Sequence, residues 1–415
     1  MSKRKQKLEM VRKEEVRKRV IKWICFLCLI GIAGIAYWNW QSEQQMRKID
    51  EKLSKGDFLM GQGNERGALE VYARVAETAP ERIEPWVKMA SVHAAAKRYE
   101  EALPFYEKAL QLDKSHFETR VGLAICKEGI GDFLTAEEHY KRAIELRSNY
   151  SEVYYNLAYL YQKQKLYESA AQQYEKAVKL KPNFIQALAN WGLVWDRLHD
   201  PGKAVEIYQR ALSVKQDEAP IYVRMGSSLM KMSQYGRAKA AFENALTLGE
   251  VRWSVFHDMG VIYEQEGAPE KALTFYRRAL GLRKGASETH FRIAGVLKEV
   301  DKPVEAMTHF RQAILLDPDN ANAHYGLAQL LLAQGSVEEG TELLNAFSKL
   351  KEYEGRLVPL RRAVEMAPRD PQAAYDLAML HMKYGRMQKG LDILMRILKL
   401  HPNFTKAKDW IEANS

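Results

Sequence analysis

A 34-residue period constrains this 415-residue chain more than any other feature of it. Nine units succeed one another without a gap, beginning at Ile49, Ile83, Phe117, Ser151, Ile185, Ala219, Trp253, Ser287 and Ala321. The unit Ser151–Phe184 displays the pattern. Large apolar residues stand at its positions 4, 7 and 11 (Tyr154, Leu157, Tyr161) and small ones at 8, 20 and 27 (Ala158, Ala170, Ala177). An aromatic stands at position 24 (Tyr174) and a proline at 32 (Pro182). The spacings 4-7-11 and 20-24-27 are helical, so each half of the unit predicts an amphipathic helix. A turn near Lys165 separates the halves. The small residues let two antiparallel helices approach closely, and the proline ends the second. A chain of such units has no central core, because each unit buries its faces against its neighbours.

The register breaks once. Phe347 replaces the small residue at position 27 of the ninth unit, and Gly355–Asp370 then adds sixteen residues. Leu360, Ala363 and Pro368 imitate positions 24, 27 and 32, as though the end of a second helix were duplicated. Either a lengthened or extra helix, or a bend that reorients the last repeat, is expected there. A tenth unit occupies Pro371–Phe404. Residues 405–415 predict a closing helix that covers it with Trp410 and Ile411.

These columns resemble the tetratricopeptide repeat (TPR) family, whose 34-residue helix-turn-helix signature they match almost position for position. The resemblance implies an all-α fold, a right-handed superhelical solenoid of about ten repeats that acts as a protein-binding scaffold. In TPR proteins, first-helix positions 2, 5, 6, 9, 12 and 13 line a concave groove that holds extended or helical peptides. Carried over here, positions 6 and 13 of repeats 4 to 6 place Asn156, Asn190, Arg224, Lys163, Arg197 and Lys231 along one wall, with Tyr155 and Tyr159 beside them. Asparagine amides can donate to and accept from a peptide backbone, and the cations can pair with carboxylates. An acidic or extended segment is the expected ligand. The lysine and asparagine of the two-carboxylate clamp found in TPR co-chaperones are absent from positions 5 and 9.

The N-terminal region has a different character. Residues 1–48 carry 12 Lys and Arg against 4 Asp and Glu, while the remainder carries 51 against 49. The basic excess is therefore local and does not describe a nucleic-acid-binding body. After the basic tail 1–22, Trp23–Trp38 runs without a charge, and aromatic rings mark both ends of the segment 23–40. A single transmembrane helix is expected over 23–40, with a polar linker at 41–48. Ten basic residues precede the span, which places the N-terminus in the cytoplasm and the repeats on the far side, periplasmic in a Gram-negative cell. A cleavable signal peptide ending at Gly34-Ile35-Ala36 is the competing expectation.

No nucleotide, metal-protease or serine-hydrolase motif occurs, and the residues after Ile49 are taken up by the repeats, their one insertion and the closing helix, leaving none for an enzyme domain, so no enzyme, cofactor or metal site is expected. Cys25 and Cys28 fall in the apolar segment, where a lipid-facing role outweighs a metal or redox pair. His93, His290, His324 and His381 fall at positions 4 or 11 and are expected in packing. The expected function is a membrane-anchored scaffold that binds protein partners near an envelope or membrane complex. A cytosolic organelle receptor and a non-catalytic recruiting subunit are the alternatives.

Overall fold

The computed structural model describes residues 36–414, together with Met10, Trp23 and Gly34. Among the described residues every regular element is a helix. The chain divides into two compact units. The first, Met1–Asp200, holds α1 (36–61), α2 (Glu65–Thr78), α3 (Glu84–Ala95), α4 (Tyr99–Leu112), α5 (Phe117–Gly129), α6 (Phe133–Leu146), α7 (Ser151–Lys163), α8 (Tyr167–Leu180) and α9 (Ile185–Arg197). The second, Pro201–Ser415, holds α10 (Pro201–Val214), α11 (Ala219–Lys231), α12 (Tyr235–Thr247), α13 (Trp253–Gln265), α14 (Pro269–Leu282), α15 (Ser287–Glu299) and α16 (Pro303–Leu316). It continues through α17 (Ala321–Ala333), α18 (Val337–Met366), α19 (Pro371–Lys383), α20 (Met387–Leu400) and α21 (Thr405–Asn414).

Within each unit, consecutive helices pack as antiparallel pairs, and each pair packs on the next. The alanines of position 20 from Ala68 to Ala306 have no exposed surface, nor do those of position 27 from Ala109 to Ala313. That burial is what allows the two helices of a pair to touch. The ring at position 24 fills the space between them: Tyr140, Tyr174, Tyr208, Phe242 and Tyr276 are at most 1% exposed. Each such ring removed from water stabilises by about 1.5–3 kcal/mol. Small residues at position 8 are dictated by that ring. A Cβ on Gly226 would lie 2.6 Å from the Phe242 ring. Two further columns, 3 and 10, are buried as well, as in Val153 and Leu160 or Val255 and Ile262.

One backbone device closes the turn inside every repeat. Position 15 adopts a left-handed conformation each time, at a glycine in five repeats and at Lys97, Lys165, His199, Ser233 and Asp301 in the others. The N–H of position 16 returns to the carbonyl of position 11, as from Leu166 to Tyr161 at 2.9 Å. This six-residue closure, with its left-handed penultimate residue, is the Schellman motif.

One stretch near the start differs from the sequence-based expectation, and the interruption in repeat 9 takes one of its two expected forms. Residues 41–48, expected as a linker, are helical and run into the first repeat as part of α1. Their glutamines, glutamate, methionine and arginine are all good helix formers. The duplicated stretch 355–370 lengthens the second helix of repeat 9, giving the 30-residue α18 with Pro359 inside it. The expected span 23–40 lies largely outside the described residues. No helix among the described residues is long and apolar enough to cross a membrane. At the other end Trp410 and Ile411 of α21 pack against the cluster of Ala378, Leu394, Ile397 and Ala407.

Candidate peptide-binding face

Helix α7 brings Tyr155, Asn156, Tyr159 and Lys163 to one face, at positions 5, 6, 9 and 13. Helix α9 touches α7 and adds Asn190 and Arg197 from the next repeat. The two helices are joined at the side-chain level by Asn190 Nδ2, which donates to Tyr155 Oη at 3.2 Å. Around Tyr155 the aromatic rings form a continuous surface. Tyr159 stacks on it at 6.5 Å and 10°, Phe184 lies at 5.0 Å, and Tyr174 lies beneath at 5.8 Å. Tyr159 remains 40% exposed. Burial, with the neighbouring Tyr159 hydroxyl, raises the Tyr155 phenol above its ordinary value, so Tyr155 presents a neutral hydroxyl. Asn156 is half-buried, and its amide makes no side-chain hydrogen bond among the described residues. An amide in that position has its donors and its acceptor available to a backbone laid across the face.

The cations of the expected wall are not equivalent. Lys163 Nζ pairs with Glu128 Oε1 at 3.0 Å, and Glu128, only 11% exposed, also accepts from Tyr140 Oη at 3.1 Å. Lys163 is thus a structural partner of the preceding repeat, lodged near the Tyr159 and Phe133 rings. The same construction recurs. Asp57 accepts from Tyr72 Oη and pairs with Lys88, and Glu264 accepts from Tyr276 Oη and lies 3.4 Å from Arg292. In each case an acid of one repeat ties its own position-24 tyrosine to a cation of the next repeat. Sequence reasoning missed these acids, because their columns, 9 and 12, were read only as groove lining. The signal was present as an acid one repeat upstream of each cation.

Arg197 is exposed at the end of α9. Arg224 and Lys231 occupy the corresponding positions on α11 in the second unit, the first half-buried and the second exposed. Gly122 of α5 and Gly326 of α17, at position 6 of their repeats, are buried under the preceding ring. A Cβ on either would come within 2.5 Å of Tyr106 or Phe310. Asp258, at position 6 of α13, is half-buried without an ion pair or side-chain hydrogen bond among the described residues. Burial alone raises its carboxyl to about 6. Its neighbour His257 donates to or accepts from Thr289 Oγ1 at 2.9 Å and is driven down to about 4 by burial and Arg292.

Of the histidines expected in packing, His381 is buried and bonds Tyr353 Oη at 3.0 Å, and His93 stacks on Phe105. His290 and His324 instead reach back six residues to the carbonyls of Lys284 and Pro318. Among the described residues no group of three or more His, Cys, Asp or Glu side chains is placed to hold a metal ion. Cys126 is a buried thiol pushed up to about 11 by burial, which keeps it protonated.

Models described as tetratricopeptide repeat match residues 81–149, 151–184, 223–287 and 297–350. A 108-residue stretch is 28% identical to the protein CTR9 homolog of Arabidopsis thaliana, which is 26% of this chain and 10% of that protein. Among solved structures, PilF of Pseudomonas aeruginosa is 20% identical, with 52% of this chain and 97% of that one covered at a TM-score of 0.45. YrrB, a TPR protein with a peptide-binding site described as unusual, is 22% identical, with 44% of this chain and 94% of that one covered at a TM-score of 0.39.

Proposed function

From a chain that carries tetratricopeptide repeats, we propose that the protein is a scaffold which holds an extended segment of a partner protein on the α7–α9 face. The observation that supports this reading is the aromatic surface of Tyr155, Tyr159 and Phe184, bordered by the Asn156 amide. Flat rings supply contact area at low entropic cost, and asparagine amides bond a peptide backbone of any sequence. Arg197 at the rim favours a segment bearing a carboxylate. Lys163 is already engaged by Glu128 and contributes less to this face.

The proposal extends to location. An apolar span at 23–40 behind a basic tail would anchor the scaffold, with the repeats on the side opposite the cytoplasm. Anchoring raises the effective concentration of partners at that membrane, as assembly of an envelope or membrane complex requires. Protease protection in intact cells or vesicles tests the orientation. Digestion of the repeats from the cytoplasmic side would reverse it, and would favour an organelle receptor facing the cytosol.

Capture of partners from a lysate of the source organism, with the full chain in detergent, tests the face itself. Tyr155→Ala together with Asn156→Ala should reduce capture at least tenfold, at roughly 1–2 kcal/mol for the lost contacts. Arg197→Glu should weaken capture at low salt and matter less as salt rises. Undiminished capture by the double variant would move the site elsewhere.

A further inference from the structure

The long helix α18 changes how the tenth repeat joins the array. It packs on α17 as an ordinary second helix does, and on α19 as a second helix packs on the following repeat, with Tyr353 near its middle bonded to His381 of α19. Both α17 and α19 run antiparallel to it, so they lie end to end along one continuous helix. The start of α17 therefore meets the turn after α19 near the middle of α18. A side-chain clip closes the joint. Arg386 Nη2 pairs with Asp319 at 2.6 Å, and the guanidinium covers the Tyr353 ring at 3.6 Å.

Beside the clip lies a cavity of about 680 Å³, bordered by His324, Lys349, Leu350, Glu352 and Tyr384. A second, of about 640 Å³, is lined by Ile314, Leu327 and Leu343 and shares His324 and Ala346 with the first. The two adjoin at His324 and Ala346, and the second also carries Arg311, Glu339 and Glu342 beside its apolar side chains. Two buried polar atoms lack hydrogen-bond partners here, His324 Nδ1 and Tyr384 Oη. Such orphans are infrequent in folded proteins and mark a missing partner.

The repeat register explains the first orphan. At position 4, Arg120 and His290 also bond the carbonyl six residues back, and their second nitrogen faces a histidine at position 23, His139 or His309. In repeat 9 position 23 is Leu343, so the second nitrogen of His324 faces the cleft instead. Because the Pro318 carbonyl can only accept, His324 Nε2 carries the proton and Nδ1 is a bare acceptor. Tyr384 approaches Glu352 and helps hold that carboxyl below its usual range, yet the approach falls outside hydrogen-bonding geometry. The charges bordering the first cavity are otherwise matched, Arg386 with Asp319 and Lys383 with Glu352 at 3.3 Å. Lys349 alone is exposed with no ion pair among the described residues.

The site thus offers an unpartnered imidazole nitrogen, one cation without an ion pair among the described residues, and the apolar side chains of Ile314, Leu327 and Leu343. We propose that it is a second binding site, which takes the free C-terminus of a partner chain ending in an apolar residue. Such a terminus presents an N–H, a monoanionic carboxylate and an apolar side chain on one residue. An internal aspartate supplies the charge without the side chain. The proposal is independent of the α7–α9 face.

Fluorescence anisotropy of the full chain in detergent tests it with three fluorescein-labelled peptides. One is Gly-Ser-Gly-Ser-Gly-Leu with a free carboxylate, the second is the same peptide as its amide, and the third ends in Gly-Asp amide. The free acid should bind at least about tenfold more tightly than either amide, the factor expected of one charge-assisted hydrogen bond. Lys349→Glu, an exposed change whose fold is checked by circular dichroism, should lower the affinity for the acid about tenfold. His324→Ala should weaken acid and leucine amide alike. Equal binding of acid and amide, no binding of the acid at millimolar concentration, or indifference to Lys349→Glu overturns the proposal.

Discussion

Single residues in this array are set by what the neighbouring repeat places against them. Position 6 shows it. Asn190 bonds Tyr155, Lys88 pairs with Asp57, and Gly122 yields its space to the Tyr106 ring. Asp258 has none of these compensations and carries the cost of burying a charge. Its folded-state value near 6 exceeds the unfolded one near 3.9. Above pH 6 both states are ionised and the folded state is penalised. As pH falls through 6 towards 4 the folded state takes up its proton first, and the penalty disappears. Asp258→Asn should therefore raise stability by about 1–2 kcal/mol at pH 8 and by almost nothing at pH 4. Thermal melts at both pH values check this, and an equal gain at both would assign the effect to packing. His257, held near 4, destabilises the wild type and the variant alike as pH falls below 6.5, so its contribution largely cancels in the difference.

Helices here are ended more uniformly than they are begun. N-caps vary from Asn64 and Asp132, whose side chains accept a backbone N–H, to Leu166, which cannot. Every first helix nevertheless stops at a left-handed position 15. A lysine there, such as Lys165 at φ 62°, costs about 1–2 kcal/mol relative to a right-handed conformation. Glycine relieves that strain but adds freedom to the unfolded chain. Lys165→Gly should stabilise the first unit by about 0.5–1 kcal/mol in urea titrations, and a loss of stability would show that the lysine side chain has a packing role. Element ends were readable near Lys165, because the apolar period lapses there. The continuity of α18 was not readable. The duplicated end-of-helix pattern was compatible with a lengthened helix or with a bend, and only the structure shows one continuous helix through Pro359.

At the scale of the molecule, a repeat array has nearest-neighbour energetics, so damage should stay local. Arg386→Ala removes the Asp319 clip and the cover over Tyr353. The Arg386 side chain is 11% exposed, so a cost of about 1–3 kcal/mol is expected. Hydrogen exchange should quicken in α19, α20 and α21 while the amides of α11 to α14 keep their protection. Uniform loss throughout the second unit would mean that the unit unfolds cooperatively.

The sequence by itself determined the repeat length, the helix pairs, the buried columns 8, 20, 24 and 27, and the packing of Trp410 and Ile411. Those features rest on periodicity, and a period is a property of one chain segment at a time. Columns 3 and 10 escaped notice because they bury against adjacent repeats, so no single unit displays their reason. Tertiary structure alone decided which groove cations are available. Lys163 reads as a free cation in its own repeat and becomes the partner of Glu128 only when the preceding repeat is stacked beneath it. It also decided that His324 faces a cleft, since the histidine that would meet its second nitrogen is replaced by Leu343 on another helix. Pairing between charges depends on distance through space, and a one-dimensional pattern carries that information only where the partner recurs at a fixed offset.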